Sequence, residues 1–509
     1  MTDLNFKPVE AADMKILAPY FGLRPNKTCD SVPLDSFIWR KYYHVQYAIH
    51  ENRALLWLMK EEGVMHSAMP LCKEENLKKY FDMTVEYFNN VLHIPLKIYL
   101  ADEEAVEFLH LKESDDFVVT EQEDLKDYLY LAYYLSVDGH LIQAGQQNLK
   151  DGIPAGCDGV VDLPISVPEK GKCFLKVVYQ LSHANALQEE GEIIGFDEIQ
   201  ITTEDNRNQD VVELLSDVNP EFPAPKVEED DCRIHVYSRE AGFAYTYRKQ
   251  TGLFEQIYVE GEELLDCPME LNIWRAPTDN DKLIKLKWLK ARYDQSYARA
   301  YETSWECDGE NICITSKMAV TAPVVQPVLC IETTWTIRPN GLLTAKMRVE
   351  KDMEFPFLPR FGIRLFLKKS MDKVTYLGIG PDESYVDKRH GGSHEIFQKC
   401  VAELHEDYIR PQENGSHCDC DYVKVESDTA VLTAAGEKTF AFNASLYTAE
   451  ELTEKRHSYE LVPCRSTVLC LDYAQSGIGS NSCGPTLLEQ YQLNEKNFTF
   501  ELNLMIRRK

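Results

Sequence analysis

The feature that most constrains the fold is a long series of strand-like segments in the last 280 or so residues. Across residues 232–509, apolar and polar side chains alternate in segments such as CRIHVYS, GFAYTYRK, CIETTWTIR, GLLTAKMRVEK, RFGIRLFLK, TFAFNASLY, TVLCLDYAQ and FTFELNLMIRR. Such alternation is typical of half-buried antiparallel strands. The pattern predicts a large two-sheet β-sandwich, in which KLIKLKWLKARY (282–293) is the one amphipathic helix.

Residues 1–130 follow a different pattern and predict a partial α/β unit. Apolar residues between Lys73 and Asn90 recur at helical spacing, and DEEAVEFLH predicts a second, short helix. The predicted strands are KYYHVQYAI (41–49), ALLWLM (54–59) and IPLKIYL (94–100). Strands that alternate with helices indicate an α/β or α+β arrangement.

The middle of the chain, residues 131–218, predicts a small all-β module. YYLSVDGHLIQAG (133–145) has an Asp-Gly turn between two strands, which is a strong hairpin signal. CFLKVVYQLS and IIGFDEIQIT continue the series of strands. The proline-rich, acidic stretch NPEFPAPKVEEDD (219–231) is the predicted linker to a C-terminal domain over 232–509.

Composition excludes several classes of function. The chain of 509 residues carries 54 basic and 83 acidic side chains, a net charge of −29, which argues against nucleic-acid binding and against an anionic membrane surface. No apolar run is long enough to span a bilayer, and the first residues do not resemble a secretory signal. We therefore expect a cytoplasmic protein whose fifteen cysteines are reduced.

Candidate chemistry lies in four polar loops that contain glycine, proline or asparagine. They are NIWRAPTDND (272–281), GIGPDESYVDKRHGG (378–392), RPQENG (410–415) and GIGSNSCGP (477–485). Such loops present polar groups suited to binding sugar hydroxyls, and they are equally typical of structural sandwich loops whose Asp and Arg residues pair with each other.

One cluster, His417-Cys418-Asp419-Cys420-Asp421, has residue types that bind metals. No second CxxC or His pair is placed to complete a tetrahedral site, so we expect no metal. Simple strand alternation, with Cys418 and Cys420 inward and Asp419 and Asp421 outward, explains the same residues.

Several stretches resemble the C-terminal half of β-galactosidases of glycoside hydrolase family 2. They are GLFEQIYVEGEELLDCPMELNIWRAPTDNDK, LPRFGIRLFL, YLGIGPDESYVDKR, DYIRPQENGSHCDCDYV, FNASLYTAEELTEKRHSYEL and LDYAQSGIGSNSCGP. The resemblance implies that residues 232–509 form the small-chain β-sandwich, which is galactose-mutarotase-like. It also implies that residues 131–218 are the preceding immunoglobulin-like sandwich without its opening strands.

The same resemblance implies that catalytic residues are absent from this chain. In the family, the acid/base and nucleophile glutamates lie on an upstream (β/α)₈ barrel, and 130 residues are too few to form one. The Mg²⁺ and Na⁺ of relatives are bound mainly by that barrel, so we expect no cofactor here. The expected partners are β-galactoside sugars and a barrel-bearing chain, in an oligomer that serves carbohydrate metabolism such as lactose catabolism.

The N-terminal unit resembles a different family. FKPVEAADMKILAPYF, TCDSVPLDSFIWRKYYHVQYAI, VMHSAMPL and DLKDYLYLA are similar to the first half of the acetyltransferase-like domain of phosphatidylglycerol lysyltransferases. The chain lacks the basic helix and the acyl-CoA pyrophosphate loop that would follow, so the unit is interpreted as a fused partial domain.

Three functions stay open at this point. The first is a β-galactosidase component that hydrolyses terminal β-D-galactosides only together with a barrel-bearing chain. The second is a non-catalytic carbohydrate-binding or scaffold protein, and the third is a remnant of an acyl or aminoacyl transferase. Under the first, the candidate residues of the sugar mouth or the barrel interface are Arg275, Asp279, Asp281, Glu413, Asn414 and Cys483. In the last of these positions some relatives carry an aromatic residue, and a thiol stacks poorly on a sugar.

Overall fold

The computed structural model describes residues 4–24, 33–61, 63–99, 101–120, 129–148, 160–184, 188–216, 222–479 and 482–509. The chain divides into two compact units, residues 1–123 and residues 124–509. The protein is mainly β, as the alternating sequence pattern predicts. Within the described residues, no helix combines the length and the apolar character needed to cross a membrane.

The first unit contains a five-stranded antiparallel sheet and short helices. Its elements are β1 (Lys7–Pro8), α1 (Met14–Phe21), α2 (Pro33–Ile38), β2 (Gln46–His50), β3 (Ala54–Glu61), β4 (Val64–His66), β5 (Leu71–Cys72), α3 (Leu77–Glu86) and α4 (Glu103–Phe108). The strand order is β1-β2-β3-β4, and β5 also pairs with β3. Both guanidinium nitrogens of Arg24 donate to the Asp102 carboxylate at 2.7 Å, a buried pair that connects residues 78 positions apart.

Two strand predictions in this unit are wrong in part. The segment 94–100 forms no strand in its described residues, and it pairs with the rest of the unit through a single bridge from Ile98 to Ser67. Pro95 has no N–H to donate to a neighbouring strand, which limits pairing there. The strand predicted over 41–49 begins only at Gln46, because His44 adopts a left-handed φ of 46°.

The second unit begins with a four-stranded antiparallel module. Its elements are β6 (Leu129–Val137), β7 (His140–Asn148), β8 (Cys173–Leu181), β9 (Ile193–Ile201) and α5 (Gln209–Ser216), and the strand order is β7-β6-β8-β9. The hairpin prediction is confirmed: Asp138 and Gly139 both have positive φ, 53° and 82°, as a two-residue turn of this kind requires. Helix α5 is not predicted by the sequence analysis.

The next sheet is a five-stranded antiparallel meander. Its strands are β10 (Lys226–Glu229), β11 (Arg233–Ser238), β12 (Phe243–Arg248), β13 (Leu253–Val259) and β14 (Glu262–Glu263), which pair in that order. Strand β10 lies inside the stretch 219–231 that the sequence analysis interprets as a linker. That interpretation is therefore wrong for residues 226–229, and residues 219–221 lie outside the described part of the chain.

The largest sheet has twelve strands. Its elements are β15 (Leu265–Asn272), α6 (Ile284–Lys290), β16 (Tyr297–Asp308), β17 (Asn311–Thr321), β18 (Leu329–Ile337), β19 (Leu343–Lys351), β20 (Arg360–Lys368), β21 (Lys373–Gly380), β22 (Ser393–Cys400), β23 (Ser416–Glu426), β24 (Ala430–Ser445), α7 (Ala449–Glu454), β25 (Ser466–Gln475) and β26 (Asn497–Arg508). The order is β15-β20-β25-β24-β26-β19-β18-β17-β16. Strand β23 pairs with β24 and with β21, and β21 pairs with β22.

The five-stranded meander β10–β14 and the twelve-stranded sheet enclose one hydrophobic core. Buried side chains of both sheets, such as Ile234, Tyr247, Trp335, Phe361 and Leu504, belong to a single cluster. The predicted antiparallel β-sandwich is thereby confirmed. Its one predicted helix is shorter than expected: α6 covers only Ile284–Lys290 of the segment 282–293.

A bulge in β23 overturns the predicted alternation of the His-Cys-Asp cluster. The pairing register with β24 shifts between His417 and Cys420, and Asp419 adopts a left-handed φ of 53°. Asp421 is consequently buried, although strict alternation predicts that it faces outward.

The four-stranded module is attached to the large sandwich by buried charges. Lys172 Nζ lies 3.0 Å from both carboxylate oxygens of Asp421, and His394 Nε2 lies 2.9 Å from the same carboxylate. Nearby, Lys176 Nζ contacts Glu395 at 2.8 Å. Asp421 thus contacts one nitrogen-bearing side chain from each side of the boundary between the module and the sandwich.

Candidate functional site

The predicted polar loops converge at one end of the large sandwich around the buried side chain of Arg275. Its Nη2 and Nε donate to the two carboxylate oxygens of Asp281 at 2.8 and 3.2 Å. Its remaining donors bind the backbone carbonyls of Ser476 and Gly477, the latter at 3.0 Å. The guanidinium carbon also lies 5.4 Å from the ring centroid of Trp288. One arginine therefore connects the loop 272–281, helix α6 and the loop that follows β25.

The loop 272–281 is shaped by its own polar residues. Asp281 holds the start of a short 3₁₀ helix (Asp279–Lys282) by accepting from the Thr278 N–H at 2.9 Å. Asp279 is exposed, and its N–H donates to the side-chain carbonyl of Gln412 at 3.0 Å. Asn280 donates to the carbonyl of Gly479. These bonds fix the loop against its two neighbours.

A second buried arginine, Arg360 at the start of β20, holds two carboxylates. Its Nη2 lies 2.5 Å from Asp472 Oδ2, and its Nη1 lies 2.8 Å from Glu413 Oε1. Burial raises the pKa of both the Asp472 and the Glu413 carboxyl groups, and the guanidinium opposes that rise. The Glu413 N–H donates to the carbonyl of Ala276 at 3.0 Å, so this cluster is joined to the loop that carries Arg275.

Glu383, in the loop after β21, is a third buried carboxylate with several donors. It accepts from Lys388 Nζ at 2.7 Å, from the Gly415 N–H at 2.9 Å and from the Tyr408 hydroxyl. Burial by itself raises the pKa of Glu383, but these three donors hold it below the usual range. The group is therefore an ionised acceptor at neutral pH.

Asp387 organises the loop that follows β25. Its two oxygens accept from the N–H groups of Ile478 and Gly479 at 2.9 and 2.7 Å. A Cβ at Gly477 would lie 2.5 Å from the Asp387 carboxylate, so only glycine fits there without a shift. This loop forms one side of a groove with a volume of about 980 Å³, whose other lining includes Asn280, Asp281, Ile284, Lys287, Lys290, Phe355, Phe357 and Gln492.

The arrangement has the chemistry of a scaffold. Glycoside hydrolysis by paired carboxylates needs two groups that face a sugar, roughly 5–10 Å apart. At this end of the sandwich, each of the carboxylates described above is bound to a cation, to backbone N–H groups or to both. These carboxylates are Asp281, Glu383, Asp387, Glu413 and Asp472.

The six candidate residues from the sequence fall into two groups. Arg275, Asp281, Glu413 and Asn414 are buried in the connected loops, and Arg275 pairs with Asp281, as the structural interpretation of such loops expects of their Arg and Asp residues. Asp279 and Cys483 are exposed. Cys483 accepts a 4.0 Å contact from the hydroxyl of Ser482, and no hydrogen bond between described residues joins it to the other five.

Sequence analysis missed four residues that hold these loops together: Arg360, Glu383, Asp387 and Asp472. Glu383 and Asp387 lie in the polar loop 378–392 that the sequence singles out, and the other two also have a signal in the sequence. Arg360 opens the apolar strand RFGIRLFLK, and Asp472 interrupts the apolar run TVLCLDYAQ, so each is a charge within a strand that is otherwise buried. Charges in such positions are usually paired.

The residues present do not fit a metal centre. In the part of the chain that the structure describes, no group of three or more His, Cys, Asp or Glu side chains is arranged to hold an ion. Burial raises the pKa of Cys418 to about 11 and that of Cys420 well above its usual value. Both thiols are therefore protonated at neutral pH, whereas a metal ligand is a thiolate.

Comparison with known proteins identifies both parts of the second unit. Residues 239–504 match the family model "Beta galactosidase small chain", and residues 117–202 match "Beta-galactosidase, domain 4". The chain is 37% identical over 387 residues to the β-galactosidase of Actinobacillus pleuropneumoniae, covering 74% of this chain and 37% of the relative. It is 34% identical over 330 residues to that of Staphylococcus xylosus, covering 64% of this chain and 32% of the relative.

The chain thus spans about a third of the length of these curated relatives. Among solved structures, a galactose 1-epimerase from Lactobacillus acidophilus NCFM aligns with 56% of this chain and 99% of its own at a TM-score of 0.32 and 11% identity. The small-chain model matches more than half of the 509 residues. The chain belongs to the β-galactosidase small-chain family.

Proposed function

We propose that this chain is a component of a β-galactosidase and supports hydrolysis of terminal β-D-galactosides only when a barrel-bearing chain supplies the two catalytic glutamates. The observation that carries the proposal is that the carboxylates described at the end of the sandwich are engaged in ion pairs and hydrogen bonds. The five buried or half-buried carboxylates described above, Asp281, Glu383, Asp387, Glu413 and Asp472, are bound within the loop scaffold, so they position loops and none of them is free for acid–base or nucleophilic chemistry. The family match supplies the substrate class.

The candidate residues have different roles under this proposal. Four buried residues hold the loops in place from inside the sandwich end: Arg275, Asp281, Glu413 and Asn414. Asp279 and Cys483 are exposed and are available to contact a sugar or the partner chain. The resemblance of residues 1–130 to an acetyltransferase-like domain, the cytoplasmic location and assembly into an oligomer stay predictions.

The test is a complementation assay with a chromogenic galactoside. The chain is mixed with the part of the Actinobacillus pleuropneumoniae β-galactosidase that it does not match, and the rate is compared with that of each component alone. We expect hydrolysis well above the sum of the two separate rates. The matched control is the chain unfolded by heat before mixing. Hydrolysis by the chain alone, or no gain on mixing, would contradict the proposal.

A further inference from the structure

Helix α6 exposes a stripe of large apolar side chains. Leu283, Leu286 and Leu289 are 55%, 61% and 43% exposed. Leu286 and Leu289 lie three residues apart within α6, and Leu283 immediately precedes the helix. The opposite side is buried, because Ile284 packs against the core and Trp288 lies within it. The stripe is therefore a surface, not the edge of the core.

Positive charge lies beside this stripe. The segment 282–293 contains four lysines and one arginine and no carboxylate, in a chain with a net charge of −29. Lys287 and Lys290 line the groove beside the stripe, and Lys282 and Lys285 belong to the same segment. Between described residues, no ion pair involves any of these four lysines.

The helix is held rigidly to the loop scaffold. Trp288 donates its indole N–H to the carbonyl of Phe357 at 2.8 Å and meets the rings of Trp274 and Phe357 edge to face. Arg275 lies over the same indole. A partner that bound the exposed side would therefore meet a preformed surface connected directly to Arg275 and Asp281.

We propose that this surface, Leu283, Leu286 and Leu289 with their flanking lysines, is a docking site for an acidic face of the barrel-bearing chain. Apolar side chains of the partner pack on the three leucines, and its carboxylates pair with Lys287 and Lys290. This inference rests on the proposed function and adds to it the position and the chemistry of the contact. Charge complementarity favours an acidic protein face, because the segment 282–293 carries four lysines, one arginine and no carboxylate.

The experiment measures binding of the chain to the unmatched part of the Actinobacillus pleuropneumoniae β-galactosidase by biolayer interferometry at two salt concentrations. We expect L286Q/L289Q to raise the Kd at least tenfold at both. We expect K287E/K290E to raise it about tenfold at low salt and to weaken its dependence on salt. The matched controls are V462Q and K438E, which change exposed residues elsewhere and should bind as the unmodified chain does. Circular dichroism and thermal melts verify that all variants fold.

The outcomes separate this inference from the proposed function. If the unmodified chain complements hydrolysis and the α6 variants bind as tightly as the controls, the docking site is wrong and the proposed function stands. If the unmodified chain neither binds nor complements, both are wrong. Sedimentation of the chain alone tests whether a second copy occupies this surface. Flotation with anionic vesicles tests whether a membrane does. A dimer or vesicle binding that L286Q/L289Q abolishes would overturn the inference in favour of a second copy or a membrane.

Discussion

At the residue scale, His417 is a neutral imidazole inside the large sandwich. Its ring stacks on Phe442 at 5.2 Å between centroids, and its Nδ1–H donates to the carbonyl of Ile379 at 3.1 Å. Burial lowers its pKa from 6.5 to about 4. Between those pH values the unfolded chain binds a proton that the folded chain does not bind.

This difference predicts a loss of stability in mild acid. As pH falls from 6.5 towards 4, the free energy of unfolding should decrease by about 3 kcal/mol through His417 alone. The variant His417→Phe should lose this pH-dependent part, and the missing hydrogen bond should cost about 1 kcal/mol equally at every pH. Urea unfolding at several pH values measures both. The control is His390→Phe, at an exposed site; equal pH profiles for all three proteins would contradict the prediction.

Single residues also show how far the sequence predicts the site. The pairing of Arg275 with Asp281 is predictable, because the two residues lie six positions apart in one polar loop. The pairing of Arg360 with Asp472 spans 112 positions and depends on β20 lying beside β25. Strand order in a sheet of twelve strands is set by the packing of the whole core, so no local pattern indicates that contact.

At the element scale, the loop after β25 is held by Asp387, and Gly477 gives that carboxylate its space. The variant Gly477→Ala should displace Asp387 and weaken its bonds to the two following amides, lowering the free energy of unfolding by about 1–3 kcal/mol. Hydrogen exchange of the Ile478 and Gly479 amides should become faster. In the matched control, Gly391→Ala, the added methyl group meets nothing within 4 Å. Equal stability and exchange in the two variants would show that the contact does not restrain the loop.

Elements differ in how well the sequence predicts them. The β6–β7 hairpin is predicted because an Asp-Gly pair between alternating segments determines a two-residue turn locally. The bulge in β23 is not, because the register shift at His417 depends on its partner strand β24. Helix α5 was missed for a similar reason: it has eight residues, and Val211 packs against Leu377, Tyr422 and Ala435 of the large sandwich. Tertiary contacts, not the local pattern, stabilise so short a helix.

At the scale of the whole molecule, the question is how the module 129–216 stays attached to the large sandwich. Asp421 is the shared acceptor of Lys172 and His394, and all three side chains are almost entirely shielded from solvent. Glu198 of the module adds a bond to the backbone N–H of His394 at 2.9 Å. A buried charge that loses its partner costs far more than an exposed one, so this contact should decide whether the two parts unfold together.

The variant Asp421→Asn tests this coupling. It leaves the half-buried Lys172 without a counter-charge, and we expect a loss of roughly 3 kcal/mol at the boundary, the lower end of the cost for a buried pair. Calorimetry should then show a separate transition of the module at lower temperature, and the amides of β8 should exchange faster than those of β24. The same substitution at Asp428, which pairs with Lys373 at 2.9 Å while 91% exposed, should leave the stability almost unchanged. A single transition with equal midpoints in both variants would mean that apolar packing, and not Asp421, joins the module to the sandwich.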